Sequence, residues 1–180
     1  MRTDSQKGSA AIEFAMVAPI FFLLLMGTIE AGIIFFAQSA LQNAVNDAAR
    51  MVRTGQITCV TAGCQAATQS QFQAQICSEV SALLSDCAGP SLQFDVKPYS
   101  GGFSTASNAS PLDASNNLPT LGTFNTGNAC EVVLVRAFYK WPVFTPMLNF
   151  FLANMSGNYH LLSTAAAFRN EPYNNSVPGC

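Results

Sequence analysis

Six cysteines (Cys59, Cys64, Cys77, Cys87, Cys130 and Cys180), a single histidine (His160) and two glutamates set in an apolar stretch (Glu13 and Glu30) carry the reactive or costly chemistry of this chain. A thiol beside an imidazole makes a nucleophile and its base. Several thiols and imidazoles together hold zinc. The zinc reading calls for Cys-x-x-Cys knuckles or nearby histidines, and the chain has no such knuckle and one histidine. All six cysteines lie beyond residue 58, and an even count in a small domain is what an oxidising compartment uses for stapling. Short separations favour Cys59 with Cys64 and Cys77 with Cys87, which leaves Cys130 for Cys180. His160 falls inside a predicted strand, where a lone histidine is more often structural than a base. Asp86, Asp95 and Asp113 fall in a turn, on a polar strand face and in a long loop, and there is no glycine-rich phosphate loop. The expectation is a protein that is not an enzyme and takes neither cofactor nor metal. A net charge of −2 without any run of five like charges leaves no basic footprint for nucleic acid.

The elements that must position these residues follow from an uneven apolar distribution. Half of the 180 residues are hydrophobic (49%) and only 10% are charged, which suits a membrane helix followed by a domain of roughly 100 to 130 residues. Ile12 to Phe36 is a run of 25 residues charged only at Glu13 and Glu30, a helix of about 37 Å. Arg2 and Lys7 precede it, and Arg50 and Arg53 follow at a distance. The positive-inside rule puts the N-terminus in the cytoplasm and the rest of the chain outside. A secretory signal peptide is the rival, with a cut near Ala37-Gln38-Ser39, but its apolar region is shorter, about 7 to 15 residues, and free of acids. Pro19 interrupts the run and predicts a kink. Ala11, Ala15 and Ala18, then Gly27 and Ala31, form a small-residue stripe that lets another helix approach. Beyond the span, Ala40, Leu41, Ala44, Val45, Ala48 and Met51 keep one apolar stripe, and Thr54-Gly55 is a stop. Ser9 to Arg53 therefore reads as one helix of 45 residues.

Residues 66–86 place Phe72, Ile76, Val80, Leu83 and Leu84 on one helical face. Ser91–Pro98 alternates as a half-buried strand, Glu131–Trp141 is a second strand with Val133, Val135, Ala137, Tyr139 and Trp141 on one face, and Tyr159–Phe168 is a third. Thr145-Pro146 caps a short helix through Ala153. Residues 100–128 are rich in Gly, Ser, Asn and Pro and read as a long loop, either solvated or in contact with a surface or another subunit. The fold class is α+β: a small antiparallel sheet with helices on one face.

The stretch Lys7-Gly8-Ser9-Ala10-Ala11-Ile12-Glu13-Phe14, the apolar run, Ile29-Glu30 and Ala37-Gln38-Ser39-Ala40-Leu41 together resemble the TadE-like minor pilins, or pseudopilins, of the tight-adherence (Tad/Flp) pilus. Tyr139-x-Trp141-Pro142 and Arg169-Asn170-Glu171-Pro172 look like the terminal signature of that family. The resemblance implies cleavage between Gly8 and Ser9 by a prepilin peptidase, which makes Glu13 the fifth residue of the mature chain. It implies a cytoplasmic leader (1–8), a long helix (9–55) spanning the inner membrane over about 12–36, and a periplasmic domain (56–180). Implied partners are the prepilin peptidase, the major Flp pilin, a sister minor pilin and the inner-membrane assembly platform. Cutting before Ser9 creates an α-ammonium that Glu13 of a neighbouring subunit can pair with; an acid that simply reaches headgroups is the plainer account. The family often has a basic residue about three positions after Glu30, where this chain has Ile33, so the partner of Glu30 is open. An uncleaved, signal-anchored periplasmic binding or sensor domain is the alternative function.

Overall fold

A computed structural model describes residues 5–58, 65–106, 109–121, 123–145 and 147–173, with the side chains of 5–9 and 65 left out. The order of elements is α1 (Ser5–Arg53), α2 (Gln65–Val80), β1 (Leu92–Tyr99), β2 (Val132–Pro142), α3 (Asn149–Leu152) and β3 (Tyr159–Arg169). The three strands form one antiparallel sheet in the order β1-β2-β3, with Leu92 opposite Tyr139 and Trp141 opposite His160. A long helix followed by this sheet and its helices is the α+β architecture expected.

Helix α1 is continuous through Pro19 for 49 residues, about 74 Å at 1.5 Å per residue. It stops where the sequence says. Gly55 takes φ 78°, its N–H donates to Val52 C=O at 3.0 Å and the Gln56 N–H to Met51 C=O at 2.9 Å, the paired bonds of a Schellman cap. A Cβ on Gly55 would sit 2.6 Å from the Tyr173 ring. The second half of α1 is the spine of the folded domain: Ile34, Ala37, Leu41, Ala44, Val45, Ala48 and Val52 are buried against α2 and one face of the sheet. Phe72, Ile76 and Val80 of α2, with Leu84, fill the same core, and the Phe72 ring meets Phe94 and Phe124 edge-on.

Two elements are shorter than the apolar pattern predicts. Helix α2 ends at Val80, not 86, because the Leu83 and Leu84 N–H groups both turn back to Val80 C=O. Helix α3 is a single turn that begins at Asn149, because Met147 adopts φ 70° and no helix runs through that conformation. Pro146, the predicted first residue, lies outside the described residues.

The sheet is covered on both faces. Helices take the face carrying Val133, Val135 and Ala137, while residues 109–121 fold back over the other and 123–125 run along the β1 edge. Leu118, Phe138 and Met155 form a small second core there, and the Leu121 N–H donates to Gln93 Oε1 at 2.8 Å. The long segment read as a loop is therefore irregular but packed. Under it, Asp95 and Arg136, cross-strand neighbours, are both buried. Arg136 Nε donates to Asp95 Oδ2 at 3.1 Å, its Nη2 binds the same oxygen, its Nη1 donates to Ala109 C=O at 2.7 Å and its guanidinium lies 5.5 Å from the Phe138 ring centroid.

The segment Arg169-Asn170-Glu171 joins the ends of the domain. Buried Asn170 donates through Nδ2 to Thr126 C=O at 2.9 Å and Asn128 C=O at 2.8 Å. The Glu171 N–H donates to Arg53 C=O at 3.0 Å, and its carboxylate lies 3.3 Å from Arg53 Nε at the end of α1. Tyr173 beside them is pushed above the usual phenol value by burial and then by the Glu131 carboxylate, so it stays protonated.

Cys77 and Cys87 form a disulfide that ties the last turn of α2 to the approach to β1. Cys130 is also disulfide-bonded; Cys59, Cys64 and Cys180 lie outside the described residues. Changing Cys77 and Cys87 together to alanine is expected to cost about 2 to 3 kcal/mol, the value for closing a short loop. A lowered denaturant midpoint with an unchanged slope checks this.

Candidate functional site

Helix α1 has two unlike halves. From Ala10 to Ile29 it is apolar, long enough to cross a membrane and exposed on nearly every side, whereas from Glu30 onward one face is buried in the domain. Glu13 lies on the bare half, one turn above Gly8 and Ser9, whose backbone is helical. Ala11 and Ala15 are exposed and Ala18 is partly covered, so that part of the small-residue stripe is open.

Glu30 sits at the junction and is only 6% exposed. Its partners lie far along the chain: Oε1 accepts the Phe144 N–H at 2.5 Å and Oε2 accepts the Thr145 N–H at 2.9 Å. An ionised acid in an apolar helix needs such satisfaction. The strand β2 supplies it by ending at Pro142, after which the chain turns down onto α1. Leu148 then rests on Gly27, where an added Cβ would lie 2.6 Å from Leu148 Cδ1. Leu23, Leu24, Gly27, Thr28 and Ala31 from the helix and Leu148, Phe151 and Leu152 from the loop line one small apolar cleft. Gly27 and Ala31 thus pack within the chain.

The sequence therefore located Glu13, Glu30 and the small residues but not Phe144, Thr145 or Leu148. Backbone amides carry no sequence signature as partners, and the separation of 114 positions from Glu30 to Phe144 hides the pairing. His160 is held structurally: its Nδ1 lies 2.5 Å from Leu152 C=O. Among the described residues no three His, Cys, Asp or Glu side chains converge as metal ligands.

Residues 8–50 match the family model described as TadE-like protein. The match covers Gly8, the bare half of α1 and most of its buried half, and so the N-terminal part of the sequence resemblance but not Tyr139–Pro142 or Arg169–Pro172. It spans 43 of the 180 residues and stops short of the sheet. No curated protein and no solved structure matches the chain.

Proposed function

We propose that this chain, TadE-like over residues 8–50, is a minor pilin anchored in the inner membrane, cut after Gly8 and used to assemble or initiate an adhesive Tad/Flp pilus. The observation that carries the reading is where the match falls: on one helix whose first half is bare and apolar and whose second half carries an external domain. That is a form suited to lateral packing in a membrane and then in a fibre. Glu13, on the bare half, is placed to meet the new Ser9 amine of a neighbour at low dielectric, where either charge alone is costly. The role is assembly and not catalysis, with the prepilin peptidase, the major pilin, a sister minor pilin and the inner-membrane platform as partners.

Sequencing the membrane-bound form tests this. It is expected to begin at Ser9, and Gly8→Phe is expected to retain the leader. Glu13→Gln is expected to be cleaved normally while piliation falls about tenfold or more, as a loss of about 1.4 kcal/mol per added subunit produces. A mature chain beginning at Met1 returns the function to an anchored periplasmic binding or sensor domain, and normal piliation by Glu13→Gln removes the pairing role.

A further inference from the structure

The connection between β2 and β3 carries an apolar surface that nothing else in the described chain covers. Phe144, Met147, Phe150 and Phe151, four large side chains within eight residues, are between 72% and 87% exposed. They are not swinging free. Glu30 holds the Phe144 and Thr145 amides, Leu148 sits against Gly27, and Phe151 borders the cleft shared with α1 between Leu23 and Ala31. These levels of the helix cover about 12 Å and fall within its apolar stretch.

At the same heights α1 itself exposes Phe22, Leu24, Met26 and Ile29. The apolar surface runs around the helix and continues onto the loop, interrupted only by small or amide side chains such as Thr28 and Asn149 among the described residues. A second protein helix covers one side of such a surface; acyl chains cover all of it. The geometry points to residues 143–152 as a wedge that enters the leaflet on the side of the external domain, its occupant the acyl chains next to the headgroups. This rests on α1 being a membrane anchor. Glu13 and Glu30 are 17 positions apart in one helix, about 26 Å, against a hydrocarbon thickness of about 30 Å. The two carboxylates bracket the span, and Glu30 with its two amides marks the outer boundary. Phe151, level with Leu23 to Gly27, then lies about 5 to 10 Å below it, the depth of side chains seated at an interface. The wedge sets the height at which the subunit rides in the bilayer.

The test uses the full chain in phosphatidylcholine/phosphatidylglycerol vesicles with lipids brominated either near the headgroup or near the chain end. Phe151→Trp, Phe22→Trp and Phe103→Trp are made singly, and the emission of the native Trp141 is subtracted using the parent chain. Phe151→Trp is expected to lose about half its emission or more to shallow bromines and less to deep ones. Phe22→Trp is expected to respond most to deep bromines, and Phe103→Trp, at the far end of the sheet, to neither. An unquenched Phe151→Trp beside a quenched Phe22→Trp overturns the wedge and leaves the anchor standing; if its emission is nevertheless blue-shifted, a second copy covers the patch instead. Both unquenched overturns wedge and anchor together. Should the tryptophan variants misfold, the unsubstituted chain is labelled with a lipid whose photoactivatable diazirine lies near the headgroup: adducts on residues 143–152 support the wedge, and adducts confined to α1 overturn it.

Discussion

Replacing Arg136 with alanine is expected to destabilise the external domain by about 3 to 5 kcal/mol, the cost of leaving one member of a buried ion pair without the other. Asp95 is nearly inaccessible and gives both Arg136 contacts to one oxygen. Its other oxygen keeps Lys97 Nζ at 3.0 Å, which places the loss at the lower end of that range. The same change frees the Ala109 carbonyl, so the covering segment loses a fastening to the sheet. Denaturant unfolding of the full chain in detergent micelles, followed by Trp141 emission, measures the effect. The double change Asp95→Leu with Arg136→Met is expected to recover most of it, since an apolar pair of similar volume removes both charges at once. A midpoint unchanged by Arg136→Ala would show that the pair holds nothing.

Glu30→Ala is expected to loosen the β2–β3 connection without unfolding the sheet. Each amide bonded to a carboxylate contributes about 1.5 to 3 kcal/mol, and both are lost. Hydrogen exchange at Phe144 and Thr145 rises to that of an open loop while β2 stays protected. Glu30→Gln keeps one acceptor oxygen and turns the other position into a donor facing an N–H, so about half the protection is expected to survive. Equal exchange in all three proteins would mean that packing of Leu148 on Gly27, not the carboxylate, seats the loop.

Much of this fold was legible because it rests on periodicity and on stop signals. The stripe from Ala40 to Met51, the alternation of β1, the β-branched and aromatic content of β2 and the Thr54-Gly55 stop each bind a local pattern to a local geometry. Asp95 read as lying on a polar strand face, and nothing marked Arg136 as its partner, because the segment that buries them has no period of its own; only the tertiary fold lays residues 109–121 over them. The early end of α2 and the single turn of α3 were hidden for a related reason, since Met147 in a left-handed conformation is a choice that tertiary contacts impose. In the candidate site the costly group was visible and its solution was not. Glu30 could be singled out as needing a partner, but the partners are peptide N–H groups that every residue except proline possesses. Asn170 and Glu171 stood out only by resemblance, and the structure shows what they do physically, which is to fasten residues 126–128 and the end of α1.

The flanks of the sheet carry a last consequence. On β3 the Leu161 N–H is taken by Asn154 Oδ1 at 2.7 Å, and the carbonyls of Ser163 and Ala165 accept the side-chain amides of Gln38 and Gln42 from α1. On β1 the Val96 N–H and C=O are paired with Thr123 and Asn125 at 3.0 and 2.9 Å, and Pro98, two positions along, has no N–H to offer. Strand addition, one recurring way for a β-domain to recruit another, meets edge groups already taken by this chain's own side chains and loop on both flanks. In the pilus proposed above, these occupied flanks favour contacts made through α1 over contacts made by strand addition.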